Sequence, residues 1–294
     1  MHHRIARFAL AAALMAAPGA LLAQQQPHEA AEAAPAEAVV LSPEAAAAAE
    51  TAARTARAEI HTFHCLHGCP SGTASTNDLV VREIYSLSSN DLTKFADWVA
   101  YRVTKAALGS NDNRDFKPDP WLGADETIEE ADYAGANAAL KTDRGHQAPL
   151  ASFTATPFWK DSNYFSNITP QKADLNQGSW VRLENAERTL ARSDAALVVY
   201  VLTGPLYERA IGTLPGADEP HRLPSGYWKV IAVESGGRTR ASSFIFEQET
   251  PKNANHCTMR KPIAEIEKRA LLVLFPRAGR QNFGSLDAEL GCRP

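Results

Sequence analysis

The sequence predicts an α+β domain built on a mostly antiparallel central sheet flanked by helices. Three observations carry this prediction. Strand-like segments follow one another across short turn signals, helical spacing is confined to a few segments, and the two do not alternate in βαβ fashion.

Taken in order, Val80–Leu87 and Phe95–Val103 mix apolar and polar residues as strands do, with Ser88–Asp91 as the turn between them. Thr127–Leu140 is rich in Ala and acidic at its start, which suits a short helix near Asp132–Ala139. Ala196–Thr203 reads as a buried strand stopped by Gly204-Pro205. Tyr227–Val233 and Ser242–Glu247 read as two more strands joined at Ser235-Gly236-Gly237. Pro262–Leu272 places Ile263, Ile266 and Ala270 at helical spacing. From about residue 59 the texture is continuous, with no linker to divide it and no internal repeat. One domain over 59–294 is expected, long enough to bury a sizeable core.

Upstream of it the chain is organised differently. His2, His3, Arg4 and Arg7 precede a nearly uninterrupted apolar run from Phe8 to Leu22, and Ala23 offers a small residue before Gln24. Residues 1–23 therefore read as a secretory signal peptide, too short and wrongly flanked for a membrane span. Residues 24–58 are dominated by Ala, Glu, Gln and Pro without a periodic apolar face, which reads as a flexible spacer. No later stretch is long and apolar enough to cross a bilayer, so a soluble, periplasmic or secreted protein is expected. Its four cysteines, Cys65, Cys69, Cys257 and Cys292, all lie in the exported part. An even count in an oxidising compartment reads as two disulfides, a local Cys65–Cys69 and a distant Cys257–Cys292. The rival is a zinc site, because His61, His64 and His67 crowd around the first pair.

Charge argues against a tight nucleic-acid-binding module. The chain carries 30 Lys and Arg against 34 Asp and Glu, a net −4. Without Arg4 and Arg7 it is −6, and without the spacer's five Glu and two Arg, residues 59–294 carry −3. Binding modules are usually basic, whereas an enzyme that must release its product needs only a local cluster of cations.

The chemistry concentrates between Asp143 and Arg188. His146 is bracketed by Gly145 and Pro149, and imidazole titrates near neutrality, the usual property of a general base. Arg144 beside it can hold a phosphate through two hydrogen bonds. Asn176 precedes a helix expected from about Gln177–Trp180. In regular helical spacing 176, 180, 184 and 188 form one row, bringing Asn176 near Glu184 with Arg188 a turn beyond. An Asn carbonyl and a carboxylate are hard oxygen donors of the kind Mg²⁺ accepts with few direct protein ligands. Read blandly, His146 is a structural histidine, Glu184–Arg188 a solvated surface pair and Asn176 a helix cap.

Asp143-Arg144-Gly145-His146, the run Asn163-Tyr164-Phe165-Ser166-Asn167 and Asn176-Gln177-Gly178-Ser179-Trp180 together resemble the DNA/RNA non-specific endonucleases with a ββα-metal motif, the Serratia nuclease-like family. The likeness extends outward through Lys94–Lys105, Ala131–Leu140, Thr203–Arg209 and Tyr227–Val230, and the four cysteines fit it. It covers most of residues 60–294. The resemblance implies hydrolysis of phosphodiester bonds in single- and double-stranded DNA and RNA, with 5′-phosphate products and Mg²⁺ as cofactor (Mn²⁺ a possible substitute). It implies that His146 deprotonates the attacking water and that Asn176 is the one direct protein ligand of the metal. Glu184 would hold a water of the metal shell, and Asn167 would assist near the metal and phosphate. Arg114 would steady charge on the phosphorane, while Arg144 and Arg188 would grip substrate phosphates. A metal-bound water would protonate the leaving 3′ oxygen, and Asp143 would buttress the motif.

Other hydrolytic motifs are missing. There is no P-loop and no Gly-x-Ser-x-Gly, and His28-Glu29-Ala30-Ala31-Glu32 fails the zinc-protease pattern. Two competitors remain: a phosphodiesterase acting on small nucleotides with the same centre, and an exported nucleic-acid-binding module. A homodimer and a protein inhibitor are left open.

Overall fold

The computed structural model describes residue 42 and residues 61–293 except 111–112, 195–196 and 279–281. The signal peptide at 1–23 and the spacer at 24–58 (Ser42 apart) lie outside the described residues, as do Asp112 and Ala196.

In chain order the strands are β1 (Asp78–Val81), β2 (Tyr85–Asn90), β3 (Phe95–Thr104), β4 (Thr142–His146), β5 (Ile168–Lys172), β6 (Val198–Leu206), β7 (Gly226–Ser235), β8 (Arg238–Glu247) and β9 (Gly284–Ser285). The α-helices are α1 (Ala136–Leu140), α2 (Ala173–Leu175), α3 (Val181–Ser193) and α4 (Ile263–Ala270). A seven-stranded sheet runs β1-β2-β3-β6-β7-β8-β9, antiparallel throughout except for the short β8–β9 contact, and β4 and β5 form a separate hairpin. The α+β class with a mostly antiparallel sheet is what the sequence predicts.

Alternation along the central strands creates two cores. Val99, Tyr101 and Val103 of β3, with Tyr227 and Ile231 of β7, face the layer holding Leu175, Trp180, Leu183 and Leu190. Trp98 and Ala100, with Trp228 and Val230, face the opposite layer, where α4 supplies Ile266 and the N-terminal loop supplies Leu66 and Cys69. The β4–β5 hairpin and α3 thus stand on one face of a sheet that is covered on both.

Several boundaries differ from the sequence reading. The predicted strand Val80–Leu87 is broken: β1 ends at Val81 and a turn closed by Arg82 N–H to Tyr85 O at 2.8 Å precedes β2. Arg82 is buried there, ion-paired with Asp119 and stacked between the Trp121 and Tyr164 rings, an arrangement built from residues distant in sequence. Ser88–Asn90 belong to β2, not to a turn, because they pair with Trp98, Ala96 and Phe95 of β3 across a bulge. The chain instead reverses over residues 91–94, with Lys94 at φ 66°. β6 runs through Gly204-Pro205: these residues still pair with Trp228 and Tyr227, while pairing with β3 has ended at Thr203. Proline's missing N–H is tolerated on that unpaired side. The helix expected over Asp132–Ala139 divides into a 3₁₀ turn at Ala131–Tyr133 and α1, separated by Gly135 at φ 75°. The β7–β8 turn is confirmed, with Gly236 and Gly237 both at positive φ as a tight right-twisted hairpin requires.

Both disulfides are formed, Cys65–Cys69 and Cys257–Cys292, which removes the thiolates a zinc site would need. His64 and His67 have other partners, the Arg82 carbonyl and the Thr239 hydroxyl. Among the described residues, no helix is long and apolar enough to cross a membrane.

Candidate active site

The site stands on the β4–β5 hairpin and the segment that follows it. β4 carries Asp143, Arg144 and His146 in register with Gln171, Pro170 and Ile168 of β5. Gly145 between them is a packing requirement. A Cβ there would fall 2.7 Å from the Cδ of Gln171, which is fully buried and has no room to retreat.

After α2 the chain kinks within Asn176–Trp180 before α3 begins. Gly178 departs from helical angles (φ −110°, ψ −114°), and a Cβ on it would meet the Lys252 carbonyl oxygen at 2.6 Å. This kink corrects the row read from the sequence. Regular helical spacing is interrupted at Gly178, and Trp180 lies in the core, where it is 1% exposed. The side chains facing the cleft are Asn176, Gln177, Val181, Glu184 and Arg188. Asn176 and Glu184 still share a cleft, but not by i, i+4 spacing through Trp180.

Arg114, Arg144 and His146, with Leu150 and Ala151, complete the walls of this cleft, whose volume is about 280 Å³. His146 Nε2 lies 2.9 Å from Asn163 Oδ1. The Asn163 amide is oriented by its own Nδ2, which donates to the Asn113 carbonyl at 3.2 Å. Its oxygen therefore faces the imidazole, so Nε2 must carry the proton and Nδ1 keeps the lone pair. Burial lowers the His146 pKa to about 4, aided by the Arg114 charge and opposed by the Asn163 hydrogen bond. The ring is thus neutral at pH 7, with a basic nitrogen available.

Asn163 is the residue the sequence reading missed, and Asn167 takes a different place from the one expected. Asn167 is fully buried: its Oδ1 accepts from Ala148 N–H, and its Nδ2 donates to the Ala148 and Ser162 carbonyls. It clamps the loops on either side of His146 and does not line the cleft. Two asparagines four residues apart in one loop carry no sequence signal to tell them apart.

Asp143 Oδ2 accepts from both Asn176 Nδ2 (3.0 Å) and Gln177 Nε2 (2.8 Å). The Asn176 amide nitrogen is thereby committed, leaving its carbonyl oxygen as the free donor atom. Glu184 is largely buried, and burial raises its pKa against the opposing charges of Lys229 and Arg188. Arg188 is 5% exposed: one terminal nitrogen donates to Asn185 Oδ1 at 2.7 Å, and the other stands 3.9 Å from Glu184 with no hydrogen-bond partner. A buried guanidinium nitrogen without an acceptor suits an incoming anion. Arg144 reaches Glu130 at 3.1 Å, and Arg114 is exposed at the cleft wall. Three guanidinium groups against one carboxylate make the cleft locally cationic within an acidic chain.

The donor set also fits a hard divalent cation. Asn176 offers one neutral oxygen, and Glu184 offers a carboxylate on the same wall. Among the described residues, no cluster of three His, Cys, Asp or Glu side chains lies in this cleft, so a multi-carboxylate cage is not what it presents. A Mg²⁺-type ion that keeps most of its waters suits one direct ligand better than zinc would.

Comparison with known proteins identifies the family. A family model described as DNA/RNA non-specific endonuclease matches residues 67–280. A nuclease of Serratia marcescens is 48% identical over 232 residues, spanning 79% of this chain and 87% of that protein. Human mitochondrial endonuclease G is 30% identical, spanning 70% of this chain and 72% of that protein. A solved EndoG/EndoGI complex matches with a TM-score of 0.61 at 24% identity, covering 70% of this chain and 89% of that one, a likeness of fold. With the family model spanning residues 67–280 and a 48%-identical relative along most of its length, the chain belongs to the DNA/RNA non-specific endonuclease family.

Proposed function

We propose that this chain is an exported, Mg²⁺-dependent endonuclease that hydrolyses phosphodiester bonds of single- and double-stranded DNA and RNA to 5′-phosphate products. The observation that carries the reading is His146, its Nε2 against Asn163, and Asn176, its amide nitrogen held by Asp143, lining one cleft with three arginines. His146 Nδ1 takes the proton from the attacking water, while Asn163 holds the imidazole in the tautomer that allows it. Arg144 and Arg188 bind phosphate oxygens, and Arg114 offsets the charge that grows on them. Asn176 and Glu184 would hold the metal and its hydration shell, and the bound ion would supply charge neutralisation at the phosphate and leaving oxygen.

Indifference to base and sugar follows from contacts made mainly to phosphate, which carries no sequence information. Export is supported by the layout of residues 1–23 and by two disulfides. A homodimer and a protein inhibitor belong to the same proposal, and sedimentation of the purified protein tests the first. The deciding experiment is cleavage of supercoiled plasmid and ribosomal RNA with Mg²⁺ or EDTA, beside His146→Ala. Both polymers should fragment only with metal, and the variant should be slower by at least ~100-fold. Intact polymers under all conditions would sink the reading.

A further inference from the structure

Beside the catalytic cleft lies a second hollow of about 510 Å³. The two share Arg114, Arg144, Asn176 and Gln177, so they form one continuous depression with a cationic ridge between its halves. His146, Glu184 and Arg188 belong to the first half only, and Phe116, Tyr133 and Asn137 to the second only.

We propose that this second hollow is a nucleoside subsite, holding the nucleoside on the 5′ side of the cleaved bond, the one that carries the departing 3′ oxygen. The inference rests on the endonuclease reading above. Phe116 and Tyr133 line the hollow, each held against the buried Phe165: Phe116 lies 5.9 Å from Phe165 at 25°, and Phe165 lies 5.7 Å from Tyr133 at 21°. Rings already immobilised by one another lose little entropy on accepting a base. The Arg144 guanidinium rides over both Phe116 and Tyr133, at 5.1 and 5.7 Å, which places positive charge where the nucleoside's phosphate would sit. At the rim, exposed Asn137 donates through Nδ2 to the Thr142 carbonyl at 3.3 Å, which leaves Oδ1 to accept from a base edge. The one carboxylate in the lining, Asp143, has the oxygen nearest Asn176 taken by two amide donors. Aromatic faces, a neutral amide and cations at the mouth match a nucleoside with its phosphate outermost. They do not match a second phosphate.

Position fixes which nucleoside it is. A phosphate held at the shared ridge presents one face to His146, where water attacks. In-line displacement sends the leaving oxygen out through the opposite face, toward the second hollow. Stacking on aromatic side chains tolerates every base, because each has a π face. The subsite therefore adds affinity without adding sequence preference. A base seated there has left its own helical stack, so local fraying is part of productive binding.

The test uses single-stranded oligonucleotides with one cleavable phosphodiester among methylphosphonate linkages. One nucleotide is made abasic on either the 5′ or the 3′ side of that bond. With the purified protein and Mg²⁺, loss of the 5′ base should lower kcat/KM at least roughly fivefold, the lower end of what one stacked base contributes. Loss of the 3′ base should cost less. In Phe116→Leu, which keeps apolar bulk but removes the π face, the 5′ penalty should shrink relative to the 3′ penalty. Equal or absent penalties on the two sides, with the intact oligonucleotide still cut, would overturn the subsite and leave the endonuclease reading standing. If the intact oligonucleotide is not cut at all, the hydrolase reading falls and takes the subsite with it.

Discussion

Lys229 is fully buried in β7, its Nζ 3.1 Å from an equally buried Glu187 on α3. Tyr101 donates its hydroxyl to the other Glu187 oxygen at 2.9 Å, and the same Lys229 nitrogen reaches that hydroxyl at 3.2 Å and lies 4.2 Å from the Trp180 ring centroid. This cluster pins the helix carrying Glu184 and Arg188 to the central sheet. Lys229→Met keeps the apolar stem but strands the Glu187 carboxylate with one hydroxyl donor and no countercharge. Removing one partner of a buried pair costs about 3–5 kcal/mol. For a domain of this size, at about 2–4 °C per kcal/mol, Tm should fall by roughly 6–20 °C. Pairing it with Glu187→Leu removes the uncompensated charge and should restore most of the loss, because the cost lies in an orphaned ion and not in the absence of the pair. The assay is urea unfolding of wild type, both single variants and the double variant at pH 7, completed as a double-mutant cycle. A single-variant loss below ~1 kcal/mol would refute the reasoning, since surface pairs cost that little. So would a double variant as unstable as the sum of its parts.

Further outcomes follow from the same structure. Asn163→Asp places a carboxylate against the protonated Nε2 of His146, which should raise its pKa from about 4; the acidic limb of the kcat profile should move toward neutrality, and an unmoved limb would remove Asn163 as its partner. His64, 2% exposed, has its pKa lowered by burial to about 4. The unfolded chain then binds the extra proton between about pH 6.5 and 4, so this residue's share of stability, about 3 kcal/mol, is present above that window and lost as pH falls through it. Urea unfolding at pH 7 and pH 4.5 should show the loss in wild type and a smaller one in His64→Gln. Cys257→Ala with Cys292→Ala opens a bridge between residues 35 apart and should cost about 3–4 kcal/mol on the chain-entropy model, read as a lower urea midpoint. Gly178→Ala should lower activity and stability together, because its Cβ would strike the Lys252 backbone and disturb the kink beside Asn176; a fully active variant would show that the kink adapts.

The sequence by itself determined the class of the fold and most of its main strands, and it favoured two disulfides over a zinc site. Each rests on something local or countable: alternation along Phe95–Val103 and Tyr227–Val233, Gly236-Gly237 at a hairpin, an even number of cysteines. It also placed His146, Arg144, Asn176, Glu184 and Arg188 in one segment, and the structure brings all five to one cleft with Arg114. Tertiary structure decided the rest. Which of Asn163 and Asn167 meets the imidazole depends on loop packing against Asn113 and Ala148, contacts that spacing does not encode. The kink at Asn176–Trp180 packs Gly178 against Lys252, seventy-four residues away, and beyond it Trp180 lies in the core while Val181 lines the cleft. Lys229 looks like one polar residue in an apolar strand until the sheet sets it beneath Glu187. Periodicity and composition report what a residue does to its own segment. The protonation state of a base and the direction of a ligand atom are set by groups that only the folded chain brings within 3 Å.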